Sequence, residues 1–370
     1  METYQEEYKT NNRYEWVDVC RGLAILAIFI GHIAPGDNVT TFVFRYHVPL
    51  FFFLSGLFFS KKKDLSVKNY IINCVKTILI PYAFFCLFNI VYFIVTTGSD
   101  LGLVKTFIIQ SLWGIRNQIG FAGQLWFFTC LLTIQLLYYF LNKLIRKKIL
   151  IFIISFASAL VSSIILKAPN DPTMFFNIDS AVYYIFFFCL GDIIFARIKD
   201  FSFTEINRLS KVFFSVSVSL VLACSFFIYS RPNDIDRVML QFSNDIGGSF
   251  FNSYLIQILI LLITILLIVF NLIIAYALKK SYYLSYIGKN TLILCGFESI
   301  AMSIATALLA FFDVSVKSNI VLFKVFLMVL KVEITKRLFF SLINNKIPWV
   351  IGRYIYPTAK RNSKFVKPIG

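Results

Sequence analysis

Arg21 and His32 stand eleven positions apart inside WVDVCRGLAILAIFIGHI (Trp16–Ile33), a run long enough to cross a bilayer. Ionisable groups in such a run need a reason to be there. At about 100° per residue, eleven positions make three turns plus roughly 20°, so both side chains share nearly one helix face, about 16 Å apart along the axis. An imidazole near neutrality can remove a hydroxyl proton or take up an acyl group itself, and a guanidinium can hold a phosphate or another anion. Each residue also has a plainer reading. Arg21 could be an anchor that reaches lipid phosphate, or could orient Asp18 at the i, i+3 position, and His32 could be a hydrogen-bonded packing residue. The chain has two histidines, and the other, His47, opens the next apolar run. It could carry a second proton, bind an acceptor, or make a structural hydrogen bond at a helix start.

That next run, FRYHVPLFFFLSGLFFS, has Pro49 in the first turn, where a proline costs no helical hydrogen bond. Its Ser55-Gly56 pair, set in a phenylalanine wall, is most simply a close helix contact. Two carboxylates, Asp192 and Glu298, also fall in apolar runs. Either could bind an acceptor or pair with a base, and neither is given a catalytic role. The seven cysteines lie in or beside apolar runs with no CxxC pair, so neither a metal nor a disulfide is expected.

The elements that must hold these residues are helices in a membrane. Of 370 residues 58% are hydrophobic, 43 are phenylalanine and 15% are charged, a balance that suits a multi-pass bundle and leaves no room for an ordinary soluble domain. Ten spans are predicted, at about 16–33, 42–59, 70–95, 124–141, 149–166, 181–196, 211–229, 250–274, 291–312 and 319–340. The last carries Lys324, Lys331 and Glu333, and no cleavable signal peptide precedes the first.

The formal charge of +17 raises the possibility of nucleic acid, but its distribution argues against that partner. Segments 60–69, 142–148, 197–211, 279–289 and the tail from Lys336 hold 23 Lys and Arg, whereas 34–46, 96–123, 167–180, 230–245 and 313–318 hold 7. By the positive-inside rule both termini are cytoplasmic, in keeping with an even number of spans. Arg21 then lies toward the cytoplasm, and both histidines lie toward the outer side. A transporter or flippase would suit many of these features, but neither matching broken helices nor internal symmetry between halves is visible.

Taken together, RGLAILAIFIGH, HVPLFFFLSG, ILIPY (Ile78–Tyr82), QLWFF (Gln124–Phe128) and YIGKNTLIL (Tyr286–Leu294) resemble the acyltransferase 3 family of integral membrane O-acyltransferases. The His-Val-Pro opening and IGKNTLI look most like its fucose 4-O-acetylase branch. The resemblance runs from Trp16 to about Arg353. It departs after YIGK, where family members commonly carry a histidine and this chain reads LILCGFES.

The resemblance implies an all-α, single transmembrane acyltransferase domain over 1–345 followed by a basic cytoplasmic tail, 346–370. It implies transfer of acetyl from cytoplasmic acetyl-CoA, without metal, to a sugar hydroxyl of an envelope polysaccharide or its lipid-linked precursor. The setting would be the inner (plasma) membrane, with membrane lipid as surroundings and an oligomeric state left open; a non-sugar acceptor is the alternative. Arg21 and His32 match the family's two functional positions, with His47 as a further catalytic candidate. Lys76 could join Arg21 in holding CoA phosphates or simply snorkel to headgroups. Gln124 could bind a sugar hydroxyl or be solvated, and Trp126 could face the acceptor or belong to an interfacial belt.

Overall fold

The computed structural model describes residues 14–33, 38–98, 100–198, 208–231, 250–312 and 321–353, and the regular structure among them is helical throughout. The chain opens with α1 (Glu15–Gly31), whose first turn carries Glu15 and Asp18 where the helix dipole favours negative charge. The expected span 42–59 is broken in two, α2 (Asn38–Phe44) and α3 (His47–Gly56). Pro49 has no N–H to give the carbonyl of Arg45 four residues back; Thr264 on a later helix donates to that carbonyl at 3.2 Å instead. The helix α4 (Val67–Thr97) starts at Ser66, whose hydroxyl accepts from the Asn69 N–H, and ends at Gly98 with φ 64°. A π turn at Val75–Leu79 precedes Pro81, whose ring crowds the carbonyl of Thr77 and forces the local widening.

The 96–123 connection contains a helix of its own, α5 (Leu101–Trp113), capped by Asp100, whose carboxylate accepts from the Leu103 N–H at 2.8 Å, and closed by Gly114. Then come α6 (Gly123–Leu144), α7 (Lys148–Ile165), α8 (Ile178–Ile198), α9 (Arg208–Ser230) and α10 (Phe250–Ala277). The short α11 (Tyr282–Lys289) and α12 (Thr291–Gly296) lead to α13 (Glu298–Phe311) and α14 (Val321–Thr335). Five helices among the described residues are long and apolar enough to cross a membrane: α4, α6, α7, the Phe175–Phe195 stretch that includes most of α8, and the Tyr254–Ala277 part of α10. Residues 1–13 and 354–370, which bear on the position of the termini, lie outside the described residues, as do 34–37, 232–249 and 313–320 within the expected connections.

Two glycine contacts set how the helices meet. A Cβ on Gly288 of α11 would collide with the backbone of Asp18 in α1, and one on Gly22 would collide with the Leu284 carbonyl. Gly56 of α3 and Gly191 of α8 do the same reciprocally, against Phe188 and Phe53. Small residues let the backbones approach, as expected where helices pack in lipid. Around these contacts lies an aromatic core that includes Phe52 stacked on Phe127 at 5.1 Å and Phe297 on Phe339 at 3.8 Å.

Candidate active site

A cavity of about 960 Å³ is lined by Arg21, His32, His47, Gln124 and Trp126, so residues from three separate stretches of sequence share one space. Lys76 does not line it. That lysine is exposed on the π turn of α4, while its neighbour Thr77 faces the cavity.

His32 is the C-cap of α1, with its backbone N–H donating to the Ile28 carbonyl at 3.0 Å. Its side chain is 38% exposed, although it sits at the end of an apolar helix, and its Nδ1 lies 2.9 Å from Glu298 Oε1. A carboxylate only accepts, so Nδ1 carries the hydrogen and Nε2 of the neutral ring keeps its lone pair. The same Glu298 oxygen accepts from Lys331 Nζ at 2.7 Å, and that ammonium stands 4.4 Å from the Phe29 ring. Lys331 is 1% exposed, and its charge offsets that of Glu298 where water does not reach. Glu298 Oε2 is buried without a hydrogen-bond partner.

Glu298 is therefore the site residue that sequence reasoning left unassigned. The signal was the carboxylate in an apolar run, but nothing local tied it to His32, 266 positions away. Asp192, the other such carboxylate, resolves differently: it accepts from Tyr138 OH at 2.9 Å and pairs with Lys148, and it does not line the cavity.

His47 donates Nδ1–H to the Val43 carbonyl at 2.8 Å across the α2–α3 break, which is the structural role open to it, and its ring also lines the cavity. Phe44 links the two histidines, its ring 6.4 Å from His32 and 5.2 Å from His47. Gln124 is buried; its Oε1 accepts from Ser299 Oγ at 2.7 Å, next in sequence to Glu298, and its Nε2 is without a partner. Trp126 is buried beneath Arg116, whose guanidinium carbon lies 4.7 Å from the ring centre.

At the other end of the α1 face, Arg21 pairs with the buried Asp18 at 3.6 Å and lies 5.3 Å from the Phe58 ring. Lys62, Lys289 and Arg353 line the same cavity. Burial pushes the Lys62 ammonium below the ordinary lysine range; nearby Cys74 opposes this and Arg21 adds to it. A family model described as an acyltransferase domain matches residues 14–332, a stretch that takes in α1 and every partner of His32 named above. The chain belongs to the acyltransferase 3 family. No curated protein and no solved structure matches the chain. It is thus a membrane acyltransferase, with an oriented imidazole and a run of cationic groups in one cavity. Among the described residues, no three His, Cys, Asp or Glu side chains converge as a metal site.

Proposed function

We propose that this acyltransferase moves an acetyl group from cytoplasmic acetyl-CoA to a sugar hydroxyl of an envelope polysaccharide or its lipid-linked precursor, in the manner of the fucose 4-O-acetylase branch. The observation that carries the reading is the His32–Glu298 contact at 2.9 Å, with His32 open to the cavity. His32 Nε2 takes the proton of the sugar hydroxyl as its oxygen attacks the thioester carbonyl. Glu298 holds Nδ1–H and stabilises the imidazolium that results, the role a carboxylate plays behind a catalytic histidine. When the tetrahedral intermediate collapses, the C–S bond breaks and the imidazolium returns the proton to the thiolate, giving the O-acetyl sugar and CoA.

The free Nε2 of Gln124 suits an oxygen of the substrate, whether sugar hydroxyl or thioester carbonyl. Trp126 lines the same cavity beneath Arg116, and His47, already bonded through Nδ1, has Nε2 left as an acceptor. Arg21, with Lys62, Lys289 and Arg353, suits the phosphates of CoA, and the distance of about 16 Å between Arg21 and His32 is one the pantetheine arm can span.

The reading includes ten spans in one transmembrane domain over 1–345, both termini and the tail 346–370 on the cytoplasmic side, and residence in the plasma membrane. The experiment is acetyl transfer in isolated membranes supplied with radiolabelled acetyl-CoA. Label should appear in envelope glycan with the wild-type chain and be absent with His32→Ala at equal protein level. Equal labelling by both would overturn the reading.

A further inference from the structure

Among the described residues, five cationic side chains line the cavity and no aspartate or glutamate does. Four of the five belong together. Arg21 and Lys62 lie close enough for their charges to interact, Gly22 beside Arg21 abuts Gly288 beside Lys289, and Arg353 bonds the Lys289 carbonyl. The fifth, Arg116, stands apart from that group, beside Trp126 and Tyr184 and within electrostatic range of His47.

Arg116 is held from several sides. Its backbone N–H donates to Asn177 Oδ1 at 2.7 Å, and Asn177, itself buried, donates Nδ2 to the Gly114 carbonyl at 2.7 Å. Its Nη1 donates to the Pro169 carbonyl at 2.8 Å, and the plane rests over the Trp126 ring. None of the described carboxylates pairs with it. A guanidinium has five N–H donors in a planar fork that fits a carboxylate or phosphate. A fixed, partly buried cation with donors to spare, on the wall of a cavity that no described carboxylate lines, is a place for an anion.

We infer that Arg116 is the contact by which the acceptor glycan presents an anionic group, a uronate carboxylate or a sugar phosphate, to the cavity. The inference rests on the acetyl-transfer reading for what the occupant is, and on the Arg116 geometry for its charge. The anion, seated on Arg116 and flanked by Trp126, would align the sugar so that a neighbouring hydroxyl faces the histidines.

The test is a saturation-transfer NMR titration of the full chain in detergent micelles with three probes: methyl glucuronoside, glucose 1-phosphate and methyl glucoside. The wild type should bind at least one anionic probe about tenfold or more tightly than the neutral one, the gain expected of a charge-assisted hydrogen bond in a partly buried site. Preference for the glucuronoside alone names a uronic acid, and preference for the phosphate alone names a phosphate-linked sugar. Arg116→Gln should erase the preference, and Arg116→Lys should keep part of it, because the charge stays while the fork is lost.

The inference is overturned by no preference for either anionic probe in the wild type, a comparison that needs no variant to fold, or by a preference unchanged in Arg116→Gln. Radiolabelled acetyl transfer in wild-type membranes judges the underlying reading separately. Anion-selective binding with no transfer upholds the anion site and discards the acetyl acceptor. Transfer with no selectivity does the reverse.

Discussion

The side chains on which the proposed transfer depends form a chain of three: His32, Glu298 and Lys331. Glu298→Gln keeps the shape of the side chain but removes the negative charge that stabilises the imidazolium and puts in its place an NH2 donor that can turn toward Nδ1 and favour the wrong tautomer, so transfer should fall by about 10²–10⁴-fold in a membrane assay. It also strands the Lys331 ammonium, and breaking a buried pair from one side costs about 3–5 kcal/mol. The double variant Glu298→Gln, Lys331→Met removes that penalty. Folded yield measured by size-exclusion in detergent should recover in the double variant while transfer does not; recovery of both would show that Glu298 serves stability alone. Arg21→Ala should raise the KM for acetyl-CoA with the acceptor KM unchanged, since its place is at the cationic end of the cavity. His32 and Arg21 were legible because charge in an apolar run is rare enough to need explaining. The partnership with Glu298 was not, because helical periodicity relates residues within one helix and says nothing about which distant helix packs beside it.

Elements hold these residues at the right spacing through glycine contacts. Gly191→Leu should push α8 away from α3, where Gly56 already meets the Phe188 backbone, and an overpacked contact of this kind costs about 1–3 kcal/mol. A lower temperature of aggregation for the detergent-solubilised variant checks this, and an unchanged one would mean that the helices part without cost. The Ser55-Gly56 pair announced such a contact in sequence; its partner Gly191 did not. Five of the ten expected spans coincide with helices among the described residues that are long and apolar enough to cross a membrane, and hydrophobic length is what made those readable. Two departures were not. The break between α2 and α3 depends on Thr264, more than two hundred residues away, satisfying the carbonyl that Pro49 leaves free. The helix α5 lies in a segment taken for a connection, and only its Asp100 cap and Gly114 stop mark it. The lysines that make the last span look polar find partners inside: Lys324 donates to Thr40 Oγ1 at 3.1 Å, and Lys331 to Glu298.

At the scale of the whole molecule, the cavity joins a cationic end to a histidine end, and in the proposed topology, which follows the Lys and Arg bias of the connections, the first faces the cytoplasm. Cysteines introduced singly at 34–46 and 230–245 should react with a membrane-impermeant maleimide added outside intact cells, and those at 60–69 should not. The opposite pattern would invert the molecule and bring the donor in from the wrong side. The central claim, that His32 carries the transfer, is tested most directly by the O-acetyl content of surface polysaccharide, measured by NMR in cells with the wild-type chain, with His32→Ala, and with no chain. The account predicts an acetyl signal in the first and its loss in both of the others, with the variant present in the membrane at the wild-type level. An acetyl signal undiminished in His32→Ala but absent without the chain would contradict it.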